Sequence, residues 1–312
     1  MRFFRTVRSG KVAVRPLSRS HPLRAPSRSP FRPTLISRVL LVAVQTRTSS
    51  LRFVSTMTTR PATMNDTDTK TAPADTPTTA TTPAALTELF EKAEAGFPPR
   101  FREHGWYLTV IASLIGSGQQ KLAGNLYTHL VSQPQYQTPA ERQVLVRRLR
   151  EAMVKCIIIN GIPVVIEAVT SVSEVEKPED TDQSCSCEDW QIGPETSKRA
   201  AAVLKVLYKS EVGAPVEVLH AHKDIPWISV NVSYGLFLSD HRILDIQETE
   251  LVVTPAIMTQ NLQDPTYWHL RACLRVGMEP EEVEAIHKVI ELIAAYGGKT
   301  LDVKRVKDVT DA

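Results

Sequence analysis

No Gly-rich phosphate loop, no nucleophile elbow and no His-Glu-x-x-His pattern occurs along the 312 residues. Their absence removes the commonest nucleotide-binding, hydrolase and zinc-protease readings. Acidic residues are missing altogether from positions 1 to 60, which hold twelve Arg and one Lys. A bilayer-crossing helix needs about 20 consecutive apolar residues. The apolar piece Val39 to Val44 is far shorter and adjoins Arg38, so no membrane span is expected. Cysteine is scarce, with four in all, and Cys185-x-Cys187 lacks the second pair that a structural zinc site requires. Alternating β-branched runs are few, which argues against a sheet.

What is present divides by charge. Removing the leader's thirteen basic residues from the 37 Lys and Arg leaves 24 against 34 acidic residues, a balance of about −10 under a formal net charge of +3. An Arg- and Ser-rich, acid-free leader has the composition of an organellar transit peptide, and mitochondrial matrix delivery is expected. Arg52-Phe53-Val54-Ser55 suits processing by a matrix peptidase. Initiation at Met57 or Met64 would instead give a cytosolic form. The leader's Arg residues are dispersed among Pro and Ser, and the remainder is acidic, so no nucleic-acid partner is expected.

Residues 61 to 84, rich in Thr, Pro, Ala and Asp, carry too few apolar groups to offset ordering entropy and read as a linker. From Ala85 the apolar spacing is helical. Leu86, Leu89, Phe90 and Ala93 form a first stripe, and helices are expected over Trp106–Ile115 and Leu122–Val131. Thr138-Pro139-Ala140-Glu141 is a capping box with Pro at the first helical position, starting a helix that Asn160-Gly161 ends; Ile162-Pro163 starts the next, through Val172. Residues 173 to 195 are acidic and aperiodic and read as an exposed loop between two weakly similar halves. Helical patterning resumes over Ser197–Tyr208, about Glu248–Asn261, from an Asp264 cap with Pro265 first in its helix to Val276-Gly277, and over Glu281–Tyr296. The fold class expected for residues 85 to 312 is an all-α, compact multi-helix bundle.

The candidate site lies late in the chain. Glu250 is followed nineteen positions later by His269, opening the run His269-Leu270-Arg271-Ala272-Cys273-Leu274-Arg275-Val276-Gly277-Met278-Glu279-Pro280-Glu281-Glu282-Val283. This sets a carboxylate and an imidazole on successive helices, able to act as a proton-transfer pair if they share a pocket. Over about residues 227 to 296 the chain resembles the carboxymuconolactone decarboxylase and alkylhydroperoxidase D-like family. That family carries a Glu on one helix and, on the next, His-(Leu/Val/Ile)-Arg-x-Ala-Leu-x-x-Gly-x-Thr-x-Glu-Glu-Ile. Tyr234-Gly235-Leu236-Phe237-Leu238-Ser239 and Leu244-Asp245 extend the likeness upstream.

The resemblance implies a helical bundle that assembles as a trimer or higher homo-oligomer. It also implies proton transfer by Glu250 and His269 as carbon dioxide leaves a small lactone or carboxylic acid. Arg271 or Arg275 would hold a substrate carboxylate, with Trp268 and Tyr234 near the substrate. In the redox branch a Cys-x-x-Cys precedes the His; here Leu262 and Pro265 stand at those positions, which removes the dithiol peroxidase mechanism. No cofactor is expected.

Three rival readings accompany this one. The Glu250–His269 pair is a structural contact in a non-catalytic helical oligomer. A residual thiol peroxidase acts through Cys273 or the Cys185 and Cys187 loop, although Cys273 and Cys156 fit better as buried filler. His220, His222 and His241 invite a metal, but their spacing fits no ligand template and Lys223 disfavours a cation, so no metal is expected.

Overall fold

In a computed structural model of the chain, the residues described are 82–209 and 221–310. Two compact units divide the sequence, Met1–Pro73 and Ala74–Ala312, and every described residue belongs to the second. The basic leader, the processing site expected in it, Met57 and Met64, most of the Thr/Pro-rich linker and His220 lie outside the described residues.

The described residues hold ten α-helices and no strand. In chain order the helices are α1 Pro83–Gly96, α2 Trp106–Gly116, α3 Ala123–Val131, α4 Pro139–Asn160, α5 Ile162–Ser173 and α6 Pro194–Tyr208. After these come α7 Asp224–Ile228, α8 Ile246–Met258, α9 Gln263–Arg275 and α10 Pro280–Tyr296. A π-type stretch, Ser229–Leu238, continues α7.

Helix α2 is apolar on every side, the pattern of a helix enclosed by others, and all residues from Trp106 to Ile115 are buried. It packs against α8, α4, α10 and α1. Side chains from all of these form the main core. A second, smaller core joins α6, the π-type stretch, α8 and α9 through Val203, Leu207, Tyr234, Leu238, Val253 and Ala272.

Local chemistry sets most boundaries. Thr138 accepts from the Glu141 N–H at 3.3 Å while the Thr138 N–H donates to Glu141 Oε2 at 2.8 Å, completing the expected capping box. Gly161 ends α4 at φ 92°, a conformation that a side chain strains. Helix α1 starts at Pro83, two residues before the expected onset, because Thr82 caps it.

Two boundaries differ from expectation for identifiable reasons. Helix α8 starts at Ile246 because Asp245 and Glu248 form a reciprocal capping box. Helix α9 starts at Gln263 with Leu262 at the cap position, so Asp264 sits inside the first turn and Pro265 is third rather than first.

The segment 173–195 is largely exposed but is tied down by side chains from elsewhere in the fold. Asp180 is buried and accepts from Arg142 Nε at 2.8 Å and from the Tyr127 hydroxyl at 3.1 Å. Arg147 and Arg150 grip Asp182, and Trp190 donates to Asp240 at 2.8 Å.

Candidate functional site

Glu250, on α8, and His269, on α9, point into the seam between the two cores, and both are buried. His269 Nδ1 lies 2.8 Å from Glu250 Oε2. A carboxylate only accepts, so in the neutral imidazole the proton sits on Nδ1 and Nε2 is left as the acceptor. Nε2 faces the Tyr208 hydroxyl at 3.2 Å, and that hydroxyl lies 2.7 Å from the hydroxyl of Tyr234. With Nε2 accepting, Tyr208 donates to it, and Tyr234 donates to Tyr208. Four groups from four elements thus form one directed chain, Tyr234 to Tyr208 to His269 to Glu250. Burial, together with the neighbouring Tyr208, pushes the Tyr234 phenol well above its ordinary range, and burial raises Tyr208 as well. Both stay protonated as donors at neutral pH.

Two irregularities shape the walls. Pro255 interrupts α8: it has no N–H for the Leu251 carbonyl and its ring crowds that oxygen. Thr109, fully buried on α2, supplies the missing donor, with its hydroxyl 2.9 Å from Leu251 O. Glu250 is the residue immediately before that carbonyl. Opposite, the π-type stretch carries Tyr234, whose carbonyl accepts from the Ser239 N–H five residues on, at 3.0 Å.

The end of that stretch is held by cations. The Lys155 ammonium, fully buried, donates to the carbonyls of Phe237 and Asp240 at 2.9 Å each and lies 3.3 Å from Glu151 Oε1. Arg199 donates to Gly235 O at 2.8 Å. Positive charge at a helical C-terminus complements its exposed carbonyls. Burial lowers the Lys155 ammonium below its usual range, opposed by Glu151.

The remaining expected residues fall in different places. Arg271 is buried, stacks over the Tyr267 ring at 5.3 Å and sits close enough to Tyr208 for its charge to lower that phenol. Arg275 donates to the Leu207 carbonyl at 2.9 Å, at the C-terminus of α6 beside Tyr208. Trp268 is half-buried. Thr254 bridges Glu250 and Cys273, 3.5 Å from Oε2 and 3.4 Å from Sγ. Burial and the Glu250 carboxylate push the Cys273 thiol far up, and Cys156 is raised to about 12 by burial. His222 is exposed and His241 faces the Leu238 carbonyl at 3.1 Å. Among the described residues no group of three or more His, Cys, Asp or Glu is placed to hold a metal, and no helix is long and apolar enough to cross a membrane.

Tyr208 is the member that sequence reasoning missed. As the last residue of a helix it looks like any aromatic closing a core stripe, and only its alignment with His269 distinguishes it.

No family model matches the chain, and no solved structure matches it. Among curated proteins the chain is similar to Peroxisomal protein 2 of Schizosaccharomyces pombe, 24% identical over 143 residues. The match covers 46% of this chain and 66% of that protein, a little under two thirds of the relative's length.

Proposed function

We propose that the protein is a carboxymuconolactone decarboxylase-like protein without the redox dithiol, performing acid–base chemistry on a small carboxylic acid or lactone. The observation that supports this most is the continuous, largely buried chain from Tyr234 through the half-buried Tyr208 and the buried His269 to Glu250. Within it, Glu250 fixes the tautomer and orientation of His269, and Nε2 takes or returns the proton as carbon dioxide leaves and the enolate is protonated. Tyr208 relays between Nε2 and Tyr234. Arg271, beside Tyr208, is the cation placed to attract a substrate carboxylate.

The test is carbon dioxide release from a panel of small lactone and keto acids. Glu250→Gln and His269→Gln each lower turnover about 100-fold or more, with the helical circular dichroism spectrum unchanged. Turnover equal to wild type in both variants refutes the assignment.

A second reading, a helical assembly in which the pair is structural, draws support from the exposed apolar stripe Ile162, Ile166 and Val169 on α5. On that reading a homo-oligomer forms, and His269→Gln lowers its stability with no chemical phenotype. Thiol peroxidase activity through Cys273 is the weakest reading, because a buried thiol raised this far supplies almost no thiolate.

For localisation, the leader's composition favours the mitochondrial matrix, whereas the relative's name is that of a peroxisomal protein. Imaging the full chain against markers for both organelles, with and without residues 1–60, separates them.

A further inference from the structure

The segment linking the two halves brings Cys185 and Cys187 together. Both are exposed and neither is in a disulfide, and their sulfurs lie 3.1 Å apart. The intervening Ser186 is held on two sides: Arg242 donates to its carbonyl, and its hydroxyl donates to Glu151 Oε2 at 3.3 Å. Just beyond, both oxygens of Asp189 bind Arg242 Nη1 at 3.0 Å, and Arg242 is itself anchored on the buried Asp240. The chain between the two cysteines and just beyond them is thus clamped in a shape that already juxtaposes the two sulfurs. Ring closure between them therefore has little chain entropy left to lose.

We infer that Cys185 and Cys187 form a redox-active dithiol that exchanges with low-molecular-weight disulfides such as glutathione disulfide. Burial and the adjacent Cys185 push the Cys187 thiol up to about 11, which suits Cys187 to the second, ring-closing step. The Cys185 thiolate attacks one sulfur of the disulfide; a new sulfur–sulfur bond forms and one glutathione thiolate leaves. Cys187 then gives up its proton and attacks the Cys185 sulfur, closing the protein disulfide and expelling the second glutathione. The dithiol loses two electrons and two protons, and two glutathione thiols are produced. None of these steps uses Glu250 or His269, so the site is independent of the acid–base reading.

The test equilibrates the full chain in glutathione buffers of rising oxidised fraction, quenches with acid, alkylates after denaturation, and reads intact mass and peptide maps. The expected result is a single two-electron step in which each chain loses two hydrogens, Cys185 and Cys187 leave the alkylated pool together, and Cys156 and Cys273 remain alkylated. In Cys185→Ser and in Cys187→Ser that step disappears, and the remaining exposed cysteine accumulates a mixed disulfide with one glutathione. Separate glutathionylation of both cysteines in the wild-type chain overturns the proposal. So does full alkylation of both at the highest oxidised fraction.

Discussion

Removing the Thr109 hydroxyl isolates one buried hydrogen bond on which the shape of the site depends. Thr109→Val keeps the side-chain volume and leaves the Leu251 carbonyl without its 2.9 Å donor, at a position where both residues are essentially sealed from water. The helix cannot supply a substitute, because the residue four positions on is Pro255. An orphaned buried acceptor costs about 1–3 kcal/mol, which in a domain of this size lowers Tm by roughly 2–12 °C. The decisive experiment is a double-mutant cycle with Pro255→Ala, measured by urea denaturation. Pro255→Ala restores an N–H aimed at Leu251 O, so the same Thr109→Val change in that background loses at least half its cost, a coupling of about 0.5–1.5 kcal/mol. An equal cost in both backgrounds refutes the claim that Thr109 stands in for the missing helical donor.

Three other outcomes follow from the packing. Lys155→Met leaves the buried Glu151 carboxylate unpaired and costs about 3–5 kcal/mol in chemical denaturation; adding Glu151→Gln recovers part of that loss. Gly124→Ala drives a methyl group into the Ser171 carbonyl where α3 crosses α5, and melting shows destabilisation of about 1–3 kcal/mol. The third concerns pH: burial pushes the Asp240 carboxyl up, but hydrogen bonds from Arg242 and the Trp190 indole outweigh it and hold the group at about 2, against an ordinary 3.8. A depressed carboxyl stabilises the fold above its ordinary value and loses that contribution as pH falls through about 2. The full shift corresponds to roughly 2.5 kcal/mol, which solvent screening at the half-exposed Arg242 reduces to about 1 kcal/mol. Arg242→Met flattens the stability profile across that acid window.

The helices were legible in sequence wherever a side chain writes the boundary itself, as Thr138 with Glu141 does, or a glycine must take positive φ, as Gly161 does. They were misplaced where the backbone competes with an attractive motif. Asp264-Pro265 has the form of a cap and first residue, yet α9 begins two residues before Pro265, at Gln263. The Glu250 and His269 spacing was readable because successive antiparallel helices bring such residues face to face, and the distance between them is 2.8 Å. The firm hold on 173–195 was not readable. Its acidic, aperiodic text is that of a solvated loop, and the arginines that bind Asp180 and Asp182 lie more than thirty residues away, on α4.

Tyr208 was hidden for a related reason, and Tyr234, expected near the substrate, could not be linked to it from sequence. Each sits where regular helix ends or fails: Tyr208 closes α6, and Tyr234 rides the π-type stretch. Pro255 breaks α8 close to Glu250 on the opposite side. Each departure costs backbone hydrogen bonding, and each is met by a dedicated partner: Arg275 at Leu207 O, Lys155 and Arg199 at the end of the π-type stretch, Thr109 at Leu251 O. A core that needed only to be packed would be served as well by unbroken helices with apolar side chains at these positions. The compensated breaks align two phenols, an imidazole and a carboxylate along a single hydrogen-bonded line, and the proposed acid–base reading rests on that line.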